Sequence, residues 1–583
     1  MALVDWLIRG AQICDGTGTP PRVGDLAIEA GRIVSVGGRH AGSARRTLDA
    51  DGAVVMPGIV DLHTHYDAQV LWDPAVTPSN EHGVTTVVVG NCGLGLAPVR
   101  AEDRGVLAAL LGGVEDIPRE SLAAALDWRW EDHPSYLDRI AELPRSVDVG
   151  AFVGHAALRL FALGAERAYA DTATPSEIGV MREALEAALD AGALGFSTSR
   201  SRTDRDDRGR PTPCCFAEDA ETHALADVLA SRGEGLLELS FRGSAGDEPE
   251  RLDEEVAWMR DLAARTGRPV SFGLAQLDAA PDAWRRVYAA AGSAAAEGVM
   301  LRPQTLGRMQ SVLLGLDAVH PFQYRPGYRA ITSLPVADRA ARMRDPSLRR
   351  RILDEVAEPA PPEDPFASLF RFEGERIFPL EDPPDYEPGP GKSLAAEAHL
   401  RGVSVLEVLY DRLVEGDGGT ILLYAVANYH EGDLSATREM LAHPCSLLGL
   451  GDGGAHVGLL CDASVPTFLL AHWTRDRSRG PGFPLEWMVH RLTDEPARLL
   501  GLHDRGRLAP GLRADLNVFD PALLSLERPR LVRDLPAGAK RFVQGARGWL
   551  ATFVGGEPTR LRGEETEARP GGLARALRSQ RSA

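Results

Sequence analysis

Two textures of hydrophobic and polar residues alternate along the chain. In the first fifty residues, short apolar segments such as Leu7-Ile8-Arg9-Gly10-Ala11 and Asp25–Gly37 are separated by glycine turns, among them Asp15-Gly16-Thr17-Gly18. Short runs punctuated this way predict β-strands. The same texture returns at Ala551–Thr559. From residue 58 onward, short and largely β-branched or apolar runs alternate with longer helical stretches. The runs are Ile59–Leu62, Thr85–Cys92, Asp148–His155, Leu194–Thr198, Gly235–Phe241, Pro269–Leu274, Met300–Gln304 and Leu447–Gly451. Pro175–Ala191 has the spacing of an amphipathic helix. This alternation predicts an α/β fold built on parallel strands, as in a barrel. Residues from about 321 to 399, rich in Pro, Arg and acidic groups, read as an insertion on the barrel mouth or a lid. Residues 563–583 read as a flexible tail.

The most pointed chemistry lies at the end of the first barrel run. Met56-Pro57-Gly58 breaks the chain, Ile59–Leu62 reads as a strand, and His63-Thr64-His65 follows. Residues i and i+2 of a strand share a face, about 6–7 Å apart along the backbone. His63 and His65 therefore aim two imidazoles at one point, and neutral imidazole suits zinc and its neighbours. A bare pair of strand-end histidines is also a common surface feature. Cys92, in Gly90-Asn91-Cys92-Gly93, ends the next run; a lone cysteine is ordinarily a small buried hydrophobe. Leu448–His456 delivers Asp452 into a glycine-rich turn. Gly449, Gly451 and Gly454 match a dinucleotide-binding spacing, but no βαβ unit with an acidic partner strand surrounds them.

Composition narrows the field. A chain of 583 residues predicts a large core with a smaller module. A net charge of −19 argues against nucleic acid or an anionic membrane as partner, and no apolar run has the length of a membrane span. Met1–Ile8 contains Asp5 and lacks the basic start of a signal peptide. The six cysteines are scattered, with Cys214 and Cys215 adjacent, unlike a disulfide framework, so a cytoplasmic location is expected. Only two lysines are present, Lys392 and Lys540, neither on a barrel run. This removes Schiff-base chemistry. Gly391-Lys392-Ser393 mimics the end of a phosphate loop, yet Tyr386 stands where its first glycine belongs. Gly195–Ser199 lacks the closing glycine of a serine-hydrolase elbow.

The order PGIVDLHTH near the start and Gly506-Arg507-Leu508-Ala509-Pro510-Gly511-Leu512-Arg513-Ala514-Asp515 near the end resembles the amidohydrolase superfamily. Gly-Asn-Cys-Gly after GVTTVVV, Val153–Arg159 and Gly195–Ser199 resemble its D-aminoacylase (N-acyl-D-amino-acid deacylase) branch. The resemblance implies a (β/α)8 TIM barrel over 58–504 and a small β-sandwich from residues 1–57 and 505–562. It further implies metal at the C-terminal strand ends, held by His63, His65, Cys92 and Asp452. Cys92 takes the bridging role that a carboxylated lysine has elsewhere in the superfamily. Asp452 also accepts the proton of the attacking water. The implied function is metal-dependent hydrolysis of an amide C–N bond in a small-molecule substrate.

The chain departs from that branch in one respect. The strands expected to carry two further metal-binding histidines contain none, and no histidine occurs between His223 and His320. Ser240 stands at the first missing position. One Zn²⁺ per chain is therefore expected. The arginine that grips a substrate carboxylate is not evident either; Cys461-Asp462-Ala463-Ser464 occupies its region. His155, His456 and His430 are candidate substrate contacts; for His155 the alternative is a hydrogen-bonded structural histidine and for His430 an ordinary loop histidine, and His82 is read as structural. The alternative is a protein that kept the barrel and a binding role but lost turnover.

Overall fold

The computed structural model describes residues 3–360 and 372–576. Its centre is an eight-stranded sheet with neighbouring strands in chain order, from Ile59–Asp61 through Val84–Val89, Asp148–Gly154, Gly195–Ser199, Leu236–Ser240, Val270–Gly273 and Leu301–Thr305 to Leu447–Leu448. Every paired neighbour is parallel. The first and last strands meet through a parallel bridge between Thr64 and Gly453, which closes the sheet into a TIM barrel. Helices cover the outside. Pro175–Ala191 is one of them, bounded as its pattern predicts: Thr174 and Glu177 form a capping box, Pro175 starts the first turn, and Gly192 ends it in a left-handed conformation.

The two chain ends fold together. Val54–Pro57 pairs antiparallel with Leu516–Phe519 inside a nine-stranded sheet that also takes in Val4–Ile13, Arg22–Glu29 and Trp549–Val554. Its core joins Trp6, Ile8, Ile28 and Val55 to Leu516, Val518 and Phe553. Trp6 meets Phe553 edge to face at 5.2 Å between centroids. Such an arrangement adds about 0.5–1.5 kcal/mol beyond area burial. Arg505 ties this module to the barrel, with Nη1 2.6 Å from Asp148 Oδ2 and 3.7 Å from Asp515 Oδ2.

Three expected boundaries change. The insertion between the seventh and eighth barrel strands is wider than 321–399. Gln310–Leu314 and Ile377–Pro379 flank Leu422–Ala427 in an antiparallel sheet, because these apolar flanks pair with each other and share a core with Val408, Leu409 and Leu413. Residues 361–371 of this segment lie outside the described residues. The stretch expected to belong wholly to the sandwich leaves it at Arg530–Val532 and Arg541–Val543, a hairpin whose Phe542 N–H donates to Val457 O at 2.7 Å. The expected flexible tail is also corrected for residues 564–576. Val149 N–H donates to Gly572 O at 2.9 Å, and Ala574 N–H to Val149 O at 2.8 Å. Ala574 is buried beside Phe152, Leu194 and Leu236. The described helices include none long and apolar enough to cross a membrane.

Candidate active site

The site forms where the first, second and eighth barrel strands end. Thr64 N–H and its hydroxyl both reach Val88 O, at 3.1 and 2.7 Å, which docks the His63-Thr64-His65 segment on the second strand. Asp452 N–H donates to His63 O (3.2 Å) and His65 N–H to Gly453 O (2.8 Å), which docks it on the eighth. The second strand stops at Val89, three residues short of the expected end, so Cys92 is delivered by a turn. Asn91 Nδ2 anchors that turn to Thr64 O at 3.1 Å. Gly93 is needed there: at φ +73°, an added Cβ would stand 2.8 Å from Ser199 N. Cys92 (φ 55°) and Asp452 (φ 42°) both adopt left-handed backbone that non-glycine residues seldom take. Such conformations cluster at functional sites.

Three expected ligands come together. Donor atoms of His63, His65 and Cys92 all lie within 4.8 Å of one another. Asp452 faces them, with Oδ1 3.5 Å from His63 Nε2 and 4.0 Å from His65 Nε2. Cys92 Sγ is 3.4 Å from His63 Nε2. Burial lowers the pKa of His63, and burial with the neighbouring His63 and His456 lowers that of His65 well below its ordinary value. Both imidazoles are thereby kept neutral, the form that binds metal. Burial, then Glu238 and Glu115, push the Cys92 thiol well up, and burial with Asp462 pushes Asp452 up to about 7. Two imidazoles, a thiol and a carboxylate are a donor set suited to a zinc-class cation, whose charge opposes both of these upward shifts.

The remaining candidates separate. His155 is fully buried, with Nδ1 2.8 Å from Thr198 Oγ1 and Nε2 2.7 Å from Glu221 Oε1. Both ring nitrogens are occupied, so the expected substrate contact is replaced by a structural role. His430 stands on the rim, its Nδ1 3.0 Å from Asp278 Oδ1 and its N–H on Gln276 Oε1. His456 is nearer, with Nε2 3.9 Å from Glu115 Oε2. His82 is buried between Thr467 Oγ1 and Gln544 O, each at 2.8 Å, in the structural place expected of it.

Other residues around the expected ligands escaped the sequence reading. Glu115, at the end of helix Arg104–Glu115, brings Oε1 to 3.2 Å from His65 Nδ1. Glu238, inside the fifth strand, accepts from Cys92 N–H at 2.6 Å. Gln304, on the seventh, lies 2.8 Å from His63 Nδ1. Asp462 binds the buried Arg308 at 2.5 Å, so the region of the missing arginine holds a carboxylate that neutralises another one. A charged residue inside an apolar run, such as Glu238 in LLELS, is the one available signal.

The Amidohydrolase family model matches residues 46–560. An N-acyl-D-glutamate deacylase of Alcaligenes xylosoxydans xylosoxydans is 30% identical over 521 residues, covering 89% of this chain and 87% of its own. A D-aminoacylase of the same organism is 28% identical over 524 residues, covering 89% of each chain. Among solved structures, the N-acyl-D-glutamate deacylase of Bordetella bronchiseptica, complexed with zinc and a phosphonate inhibitor, aligns with a TM-score of 0.64 at 25% identity, over 99% of this chain and 100% of that one. With its barrel, its strand-end cluster of His63, His65 and Cys92 and these relatives, the chain belongs to the amidohydrolase family, in its D-aminoacylase branch, and is a metal-dependent hydrolase of amide C–N bonds.

Proposed function

We propose that the protein hydrolyses the amide bond of N-acyl-D-amino acids using one zinc ion held by His63, His65, Cys92 and Asp452. The observation that carries this reading is the convergence of those side chains at the mouth of the barrel. Relatives that deacylate D-amino-acid derivatives supply the substrate class. When bound, such an ion supplies Lewis acidity to a water and to the scissile carbonyl. Asp452 accepts the proton of the attacking water and returns it to the leaving amine. His63 and His65 keep their positions through the backbone bonds to Val88, Asp452 and Gly453. In this reading His456, partly exposed beside Glu115, meets the substrate.

Ser240 supports the count of one. It ends the fifth strand and offers only a hydroxyl where a histidine would complete a second site. Metal analysis of dialysed protein should give about one ion per chain, because four donors suffice for a tetrahedral site. Two tightly held ions would refute the count.

The protons on Asp452 and Cys92 make a second expectation. Cys92 is raised well above its ordinary value and Asp452 to about 7, so near neutrality the first is a thiol and the second is partly protonated, and each must be deprotonated to bind a cation. Zinc affinity should therefore climb with pH, about tenfold per unit for the Cys92 proton, and more steeply below about pH 7, where Asp452 is still protonated. Chelator competition between about pH 6 and 8 checks this; a flat profile would mean that neither group is a ligand.

A further inference from the structure

We propose that Gln304 is a positioning residue that fixes the tautomer of His63 and so makes Nε2 the ligand atom; the inference rests on the metal-binding reading above. It follows from a chain of buried hydrogen bonds whose direction is determined at one end. Ser271 Oγ donates its only proton to Arg302 O at 3.0 Å. That hydroxyl can then only accept, and it does so from Gln304 Nε2 at 2.9 Å. The amide nitrogen thus faces Ser271, and the amide oxygen faces His63 Nδ1 at 2.8 Å. A carbonyl oxygen accepts and never donates. Nδ1 must therefore carry the hydrogen of the neutral ring, which leaves the lone pair on Nε2. That atom is the one turned toward Cys92 Sγ and Asp452 Oδ1.

Among the described residues Gln304 is alone in this task. Glu238 Oε1 approaches His63 Nδ1 only to 3.8 Å, and its other oxygen is taken by the Cys92 N–H. Space for the amide is reserved by the eighth strand's extension: a Cβ on Gly449 would stand 2.3 Å from Gln304 Oε1. Gln304 and Ser271 are both fully buried, so water does not compete for these bonds. His65 has no such partner among the described residues: the Glu115 carboxylate lies 3.2 Å from its Nδ1 without forming a hydrogen bond. An outer partner that sets ring orientation typically changes metal affinity 10–100-fold. An amide does so behind His63 without adding charge to a site already holding a thiol and several carboxylates.

Two measurements test this. Nitrogen-15 NMR of metal-free protein with labelled histidine, assigned by loss of the His63 signal in His63→Ala, should report hydrogen on Nδ1. Chelator competition should show zinc binding weakened about 10–100-fold in Gln304→Leu. Ser271→Ala should weaken it as well, because the amide is then free to turn its nitrogen toward His63. Adding Gln304→Glu to Ser271→Ala should restore binding, since a carboxylate presents an acceptor either way; a mere packing role for Ser271 predicts no rescue. Hydrogen on Nε2 in the wild type, unchanged affinity in Gln304→Leu, or no rescue in the double variant would overturn the proposal. If the wild type bound no zinc, the metal-site reading would fail, while the NMR result would still decide the tautomer.

Discussion

Asp452→Asn is expected to abolish turnover while leaving the fold intact. The fold should survive because the position is held by its backbone: Asp452 N–H donates to His63 O, and Asp452 O accepts from Ala455 N–H. Asparagine also tolerates the left-handed backbone at this residue better than most side chains do. Chemistry should fail because an amide cannot take a proton from water at neutral pH. Loss of a general base costs on the order of 10²–10⁴ in rate, and a weaker hold on the metal adds to that. If Asp452 merely supported the Gly453-Gly454 turn, asparagine would serve as well. Near wild-type kcat in a folded variant would therefore remove Asp452 from the mechanism.

His63→Ala and Cys92→Ala should each lose the metal. Removing one of the four proposed donors leaves three, too few to hold the ion tightly. The variants should differ in stability. His63 is buried against Gln304, so its loss strands an amide oxygen and destabilises the barrel by about 1–3 kcal/mol. Cys92→Ala removes one sulfur and leaves the Cys92 N–H bond to Glu238 available. Metal content and thermal melting of each variant, beside metal-free wild type, separate these effects. Full zinc occupancy in Cys92→Ala would return that cysteine to the role of a buried hydrophobe.

The parts of the site that could be read from the sequence are those whose geometry is local. His63 and His65 share a strand end, and Cys92 and Asp452 each lie in a glycine-marked turn after an apolar run, so a few neighbouring residues specify where each side chain goes. The barrel was legible for the same reason, since its strands and the helix Pro175–Ala191 announce themselves by periodicity and caps. Gln304 was not, because its partner His63 lies 241 residues away and nothing near QT in the sequence marks it. His155 stayed open between a substrate contact and a structural histidine because its strand-end position fits both, and only the distant Glu221, from helix Asp219–Arg232, which claims one ring nitrogen, separates them. The insertion's true limits depend on Gln310–Leu314 pairing with Leu422–Ala427, a long-range match that local composition does not encode. The docked segment 564–576 hid behind polar, glycine-rich composition, because much of its contact is made by backbone bonds that composition does not mark, with only Ala574 fully buried in the core.

The central claim, a deacylase that works with one metal, is tested most directly by restoring zinc stepwise to metal-free protein while following hydrolysis of paired N-acyl-D- and N-acyl-L-amino acids. Activity on the D-series should rise in proportion to zinc and level off at about one equivalent per chain, the capacity of a single four-donor site. Undiminished activity without metal, a requirement for a second equivalent, or no hydrolysis of either series by fully loaded protein would contradict it.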